Sequence, residues 1–498
     1  MKKILLLTNG DYDNVGDQMI EACDVALIRA ALKNLGARED EVSLQSRGVS
    51  LVPNEYVATH DPTYLREAEE VLKGTDLLLF GGAPVFNYRY ESFYEKTATW
   101  LDLAAENQVP VIFSAIGVEH FEEDNPKCRR IREALRKVDL IMATTRDGQE
   151  QLQKYTEGLD MIRGNVADPA VFTREIFAPY VKRRDPEKKR VGIFLLRANG
   201  FLDNGQDFDH EKAAGLWLEL MEECEGKGFV PYLLTSGFAA DEAFMDYMIR
   251  HYHVPKERCI FNINTPEDLV EAISGMDGII SCRLHPGILS YSLGIPAVGI
   301  RWNPKVDMFY HKIGHPERAL KVEGITGKMV LDHLLEAMED IPQRDEDMAY
   351  ETYRTLVEGI QKAVYPGRQY RLWDFLELTE RLETYPGTGE EAFLQKLQGK
   401  FRRAYVTYNN AFYKGLKTRK QLQEMTEKAD SSHRHALALK EKNLQQQEKI
   451  ERLKQRNIEL KQELQKNQEE LKRVYSQSFI EMVANWSKGK DEYDKKQK

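Results

Sequence analysis

Within the apolar run IISCRLHPGILSYSLGIPAVGI, residues 279–300, the triplet Arg283-Leu284-His285 puts two polar, ionisable side chains into a stretch that otherwise reads as buried. Pro286 suits the first turn of a helix, where its missing N–H leaves no donor unsatisfied, and Gly294 suits the end of one. His285 therefore falls at or beside an N-cap, where free backbone N–H groups and the positive helix end attract an anion. Arg283 adds a planar fork of donors that fits a phosphate or a carboxylate. Lys305, in RWNPKVDMF, stands beyond the next apolar run and supplies a second cation. Together they read as a site for a small, highly anionic ligand. The plainer reading is that Arg283 pairs with a surface acid and His285 caps its helix.

Three other strand ends carry polar punctuation. KILLLTNG leads through DYDNVGD into a helix, so Asn14, Gly16 and Asp17 lie where a doubly wound sheet holds its ligand. Asp17 either bonds a polar ligand or caps its helix. The glycines here do not make a GxGxxG dinucleotide fingerprint. LLLFGGAPVF ends in Gly81 and Gly82, which let a ligand or a neighbouring backbone approach closely. ATTRDGQEQL offers Arg146 and Asp147 at the start of a helix, where the arginine holds an anion or pairs with Asp147.

The elements that would position these residues follow a regular alternation. KILLL, TDLLLFGG, VPVIFSAIG, VDLIMATT and DMIRG are apolar runs separated by amphipathic stretches, as in a parallel sheet with helices on both faces. VKRRDPEKKR, residues 181–190, reads as a linker. VGIFLL, FVPYLLT, CIFNIN, GIIS and PAVGI then repeat the scheme. The expected fold class is α/β, with two Rossmann-like doubly wound domains in a GT-B-like arrangement and a cleft between them. The first covers residues 1–180 and the second 190–345. A helical, basic amphipathic segment follows over 346–420. Its apolar residues from Phe393 through Phe401 to Phe412 and Leu416 recur at helical spacing, with lysines and arginines between them. Such a face would lie on an anionic membrane surface or dock on the body. Residues 436–475 carry heptads, with Ile450, Asn457 and Leu464 at a and Leu453 and Leu460 at d, which predicts a parallel coiled-coil homodimer. The alternative is a single exposed, charged helix.

Composition bounds the function. The 498-residue chain has a net charge of −10, but residues 396–498 hold 25 Lys and Arg against 14 Asp and Glu, which leaves −21 for the body. An acidic body excludes nucleic acid as its expected partner, because phosphates demand a basic footprint. The opening MKKILLLTNGDYD is interrupted too early for a signal peptide, and no apolar stretch is long enough to span a membrane. The five cysteines are scattered and never spaced CxxC, which argues against a disulfide framework and a structural zinc, so no metal is expected. The expected location is the cytoplasm.

The ordered set DNVGD, DLLLFGG, VIFSAIGV, TRD, ADPA, SCRLHPGILSYSLGIPAVGI and NPKVDMFYHKIG resembles the polysaccharide pyruvyl transferase family over about residues 1–320. Where that family has a third glycine this chain has Ala83, and its TRD stretch is looser than the family pattern. The tail lies outside the resemblance. The resemblance implies a GT-B-like transferase that moves pyruvate from phosphoenolpyruvate, a donor substrate rather than a cofactor, onto two hydroxyls of a cell-surface glycan or its lipid-linked precursor as a cyclic ketal. His285 would then be the acid, Arg283 and Lys305 the anion clamps, and Asp17 or Asp147 the base. Peripheral contact with the inner face of the membrane is the matching expectation for the basic segment. Two other readings stand beside it: a glycosyltransferase with a nucleotide-sugar donor, and a non-catalytic coiled-coil scaffold.

Overall fold

The computed structural model describes residues 1–474 apart from 12, 89–92 and 186. The first sheet comprises β1 (Lys2–Thr8), β2 (Val42–Gly48), β3 (Leu77–Gly81), β4 (Val111–Ile116), β5 (Leu140–Thr145) and β6 (Ile162–Asn165). All its pairings are parallel, in the order β2-β1-β3-β4-β5-β6. β3 and β4 are buried along their whole length, which is why they read as unbroken apolar runs: helices cover both faces. β2 is not among the expected strands. Its polar VSLQSRG lies half-buried at the sheet edge, where no apolar run is required.

The second sheet comprises β7 (Arg190–Phe194), β8 (Val230–Leu234), β9 (Cys259–Ile260), β10 (Gly278–Ser281), β11 (Ala297–Ile300) and β12 (Ala319–Leu320). It too is parallel, in the order β12-β11-β10-β7-β8-β9, the Rossmann order read from the far edge. The fold is thus two doubly wound, GT-B-like α/β domains, as expected.

Chain order reverses at β1/β3 in the first sheet and at β7/β10 in the second, and ligand crevices open beyond the carboxyl ends of strands at such points. From β1 the chain enters the helix Val15–Asn34, and from β10 the helix Leu284–Leu293. Both helices contribute to one apolar cluster that also takes in Leu6 and Ile112 of the first sheet and Phe194 and Ile279 of the second. The two halves therefore share a core as well as a cleft.

The helix Glu346–Val364 belongs to that core too. Thr352 Oγ1 accepts a hydrogen bond from the Ala167 amide at 3.0 Å, and the Tyr353 hydroxyl donates to Asn34 Oδ1 at 2.8 Å. Gly359 lets the helix close on Ile112 and Met142. The expected segment 346–420 is consequently not one body. Its first helix completes the N-terminal half, and the boundary between the chain's two compact units falls between Ala404 and Tyr405.

From Glu390 to Val474 the chain is one helix. Its first turns, within the first unit, are held by their basic side chains. Lys396 donates to Gln18 Oε1 at 2.7 Å, Lys400 to Glu242 at 2.7 Å and to Asn264 at 2.9 Å, and Arg403 to Asp13 at 2.5 Å. Phe401, on the face expected to dock or insert, is 59% exposed. The second unit is described from Tyr405 to Val474 as helix, with Leu453 and Leu460 exposed. Residue 475, the last of the expected coiled coil, lies outside the described residues.

Candidate active site

The two helices that begin at the switch-point strands meet at their first turns. Asn14 caps Val15–Asn34: its Oδ1 accepts from the Gly16 amide at 3.3 Å and from Ser236 Oγ of the second domain at 3.2 Å. Its Nδ2 donates to Asp17 at 3.1 Å, and Asn9 Nδ2 reaches the same carboxylate oxygen at 3.4 Å. The Val15 amide bonds the Ser236 carbonyl at 2.9 Å, so the first turn is tied to both domains.

His285 lies in the first turn of the facing helix, inside it rather than at the cap, which is Arg283. A Cβ on Gly16 would fall 2.1 Å from His285 Nδ1, so glycine is required there for the imidazole to come this close. The ring is 8% exposed, and its Nε2 has no hydrogen-bond partner among the described residues. Burial pushes its pKa below the usual histidine range, and Asp168 and Asp17 pull the other way.

Lys305 occupies the first turn of Pro304–Lys312, whose cap Asn303 accepts from the Lys305 amide at 3.1 Å. Its side chain lines a cavity between the domains together with Arg146, Asp147, Asp168 and Lys312. Among the described residues its ammonium makes no hydrogen bond or ion pair, and burial lowers its pKa against the opposing pull of Asp147. Lys312 is spoken for. It donates to the Arg146 carbonyl at 2.6 Å, to Asn165 at 2.9 Å and to the Val166 carbonyl at 2.5 Å, stapling this helix to the first domain. Burial pushes its pKa down to about 8.

Other expected site residues take different neighbours. Arg146 pairs with Asp168, not Asp147, and both are buried. Asp147 instead accepts from the Val118 amide at 3.0 Å. Arg283 sends both arms of its fork to buried Asp241, at 2.8 and 2.7 Å, between the rings of Phe238 and Trp302. Its partner is therefore an internal acid rather than a surface one. Gly81 and Gly82 serve close approach, but of the helix Val15–Asn34. Added Cβ atoms would meet Asp24 at 2.3 Å and Ile20 at 2.0 Å, and Gly82 has φ +39°.

Sequence reasoning passed over Asp168, Asp24 and Lys312. Asp168 stands in the quoted ADPA motif, caps the turn after it and neutralises Arg146. Asp24 is fully buried, and burial, with the Asp168 carboxylate beside it, pushes its pKa up from the usual aspartate value. Nothing in its helical context marks it.

What the cleft brings together is a buried imidazole and an ammonium, His285 Nε2 and Lys305 Nζ having no hydrogen-bond partner among the described residues, and a carboxylate, Asp17, at the start of a helix. Such a set can hold an anion and move a proton. Two doubly wound domains closing on it make this a protein of the two-domain, GT-B-like class. The sequence matches the polysaccharide pyruvyl transferase family over residues 14–304, more than half of its length, and the chain belongs to that family, which makes it a transferase by class. No curated protein matches it significantly. Among solved structures it is similar to a UDP-N-acetylglucosamine 2-epimerase from Rickettsia bellii, with 14% identity over 73% of this chain and 96% of that one and a TM-score of 0.46. It is also similar to the UDP-GlcNAc 2-epimerase from Neisseria meningitidis bound to UDP-GlcNAc (12% identity, 73% and 100% covered, TM-score 0.44). A third is E. coli ADP-heptose lps heptosyltransferase II (12%, 68% and 99%, TM-score 0.35).

Proposed function

We propose that the chain transfers pyruvate from phosphoenolpyruvate onto two hydroxyls of a sugar in a cell-surface glycan or its lipid-linked precursor, forming a cyclic ketal. The observation that carries this reading is the Nε2 of buried His285, without a hydrogen-bond partner among the described residues and within electrostatic reach of Lys305, whose charge favours the neutral imidazole. His285 protonates the methylene carbon of phosphoenolpyruvate, leaving an oxocarbenium centre at the carbon that bears phosphate and carboxylate. A first sugar hydroxyl attacks that carbon and gives its proton to Asp17. A second hydroxyl displaces phosphate, which leaves with the remaining proton, and the ketal closes. Lys305 and the helix start beside it hold the donor's negative charge. Arg283, occupied by Asp241, acts as a positioning residue for the helix that carries His285.

Incubation of the purified chain with phosphoenolpyruvate and a panel of lipid-linked acceptors tests this. Phosphate release that requires an acceptor is expected, and release of nucleoside diphosphate from nucleotide sugars instead would replace this reading with glycosyl transfer. His285→Ala should lower turnover by roughly 10²- to 10⁴-fold with little change in KM for phosphoenolpyruvate. Lys305→Ala should instead raise that KM, as expected of a contact made in the ground state.

The same reading places the protein in the cytoplasm, where phosphoenolpyruvate is made, and against the membrane that carries lipid-linked acceptors. No described helix is long and apolar enough to cross a membrane. Tyr405, Tyr408 and Phe412 are exposed at helical spacing, and Lys414, Lys417, Arg419 and Lys420 follow them, a pattern suited to an anionic bilayer surface. Flotation with anionic but not neutral vesicles is the expected result.

A further inference from the structure

Two cations of the C-terminal helix reach back to the loops that build the candidate site. Lys400 and Arg403 stand one turn apart, so they share a face of the helix Glu390–Val474. Arg403 donates to Asp13 Oδ1 through Nη2 and, at 3.2 Å, through Nε, and Lys400 donates to Glu242 at 2.7 Å and to Asn264 at 2.9 Å. Asp13 immediately precedes Asn14, the cap of the helix that carries Asp17. Glu242 lies in the first turn of the helix Ala239–Tyr252 of the second domain, next to the Asp241 that holds Arg283. Each cation therefore ends one residue away from a residue that positions the site. Lys400 and Arg403 lie beyond residues 14–304, the part that matches the family, so this role does not come with that membership.

Electrostatics explains why cations are needed here. The two loops approach closely: the Val15 amide bonds the Ser236 carbonyl at 2.9 Å, and a Cβ on Gly237, which has φ +82°, would fall 2.9 Å from the Asp13 carbonyl. That approach sets Asp13 of the first domain against Asp241 and Glu242 of the second. Burial raises the Glu242 carboxyl above its usual range; Lys400 pulls it down, while Asp13 and Asp241 push it further up by like-charge repulsion. Arg283 neutralises Asp241 from within the second domain. The charges of Asp13 and Glu242 are answered from outside both sheets, by Arg403 and Lys400. Both carboxylates are largely buried, so solvent and salt screen their repulsion poorly.

We propose that Lys400 and Arg403 are positioning residues, a latch that cancels the repulsion between Asp13 and Glu242 and so holds the two domains closed, with Asp17 brought up to His285. The effect on turnover rests on the pyruvyl-transfer reading. The latch itself rests on the four side chains and on the backbone bond that joins the loops beside them. Without the two cations the loops separate, and the site, half of which comes from each domain, loses its alignment.

The test uses the full chain with Lys400→Gln and Arg403→Gln together, which keep polar side chains and remove both charges. Hydrogen exchange, followed by mass spectrometry over peptides that contain Val15, reads closure with no ligand present, because the Val15 amide is bonded across the domains. Exchange there should quicken about tenfold, the factor expected when a charge-assisted hydrogen bond is lost. Peptides of β3 and β4, inside the first sheet, should keep their rates. Adding Asp13→Asn and Glu242→Gln to the same chain removes the repulsion itself and should bring Val15 exchange back to within about twofold of the original. Phosphate release from phosphoenolpyruvate, assayed with the lipid-linked acceptors, should fall and recover in parallel. Unchanged Val15 exchange in the doubly substituted chain overturns the proposal. Faster exchange that the two acid substitutions fail to restore also overturns it, since the helix would then act by packing alone. A chain in which exchange quickens and recovers, yet which releases no phosphate from phosphoenolpyruvate before any substitution, would keep the latch and sink the pyruvyl-transfer reading.

Discussion

The contact between Gly16 and His285 sets a steric limit on the site. Alanine suits a helical turn, but its Cβ would lie 2.1 Å from His285 Nδ1, so the imidazole must move. Gly16→Ala should cost about 1–3 kcal/mol of stability through overpacking against buried His285, and about a hundredfold in turnover, the penalty expected when a catalytic group is displaced by about 1 Å. Protonation offers a second check. Burial keeps His285 below the usual histidine range, hence neutral in the free protein near neutral pH, while a bound anionic donor favours its charged form. Binding of phosphoenolpyruvate at about pH 7, below the titration of Lys312, should therefore take up protons. Calorimetry in two buffers of different ionisation enthalpy reads that uptake, and His285→Ala should abolish it. As pH falls through the free-protein pKa, the uptake should decline towards zero, because His285 is already charged. Arg283 makes a different forecast. Its removal strands fully buried Asp241, so Arg283→Ala should lose roughly 3–5 kcal/mol of stability in urea unfolding, with Asp241→Asn in the same chain restoring part of it. At this scale the sequence disclosed which residues were unusual, because ionisable side chains at strand ends break an apolar pattern. It did not disclose their partners. Asp241 and Asp168 lie 42 and 22 residues from the arginines they neutralise, and no local rule joins them.

Among the elements, the strands were legible wherever burial on both faces forced continuous apolar runs. They were not legible at β2, whose polar sequence an edge position tolerates, or at the two-residue β12; β9, equally short, was legible in the apolar start of CIFNIN. The helix Glu346–Val364 was assigned to a tail because the alternation ends before it. Its membership of the first domain's core depends on partners such as Asn34 and Ala167, far away in sequence. Residues 383–403 act similarly as a strap across both domains. Glu383 pairs with Arg29 and Lys33 of the first, and Thr388 donates to Glu267 of the second. Lys396 and Arg403 then return to the first domain and Lys400 to the second. A chain ending at residue 404 should melt within about 2 °C of the full chain. One ending at residue 380 should melt measurably lower, each 1 kcal/mol being worth only about 1 °C in a chain of this length at roughly 2.1 cal/mol/K of unfolding entropy per residue. Equal melting temperatures would show that the strap contributes nothing to domain closure.

For the molecule as a whole, the proposed assembly is a homodimer through residues 436–475, and its charges make the forecast specific. Residues 450–460 carry Ile450, Leu453 and Leu460 at a and d positions, with Asn457 at a, where a polar residue fixes register and favours two strands. In a parallel pair, however, the flanking positions set Lys449 against Lys454 and Arg456 against Lys461 of the other copy. Part of that charge is relieved within the helix, where Lys454 lies 3.3 Å from Glu451 and Arg456 3.0 Å from Glu459. The like sign at these facing positions still repels across the seam. Salt should therefore tighten the dimer, the reverse of what attractive surface ion pairs would give, because screening removes repulsion while leaving apolar contacts intact. Sedimentation equilibrium of the full chain at about 0.05 M and 0.5 M salt should show the dissociation constant falling several-fold at the higher concentration. A chain ended at residue 418 should sediment as a monomer at both. If that shorter chain remains a dimer, the interface lies in the acidic body. If the full chain instead loosens in salt, copies of the helix are held by attractive charges, and the parallel register is wrong.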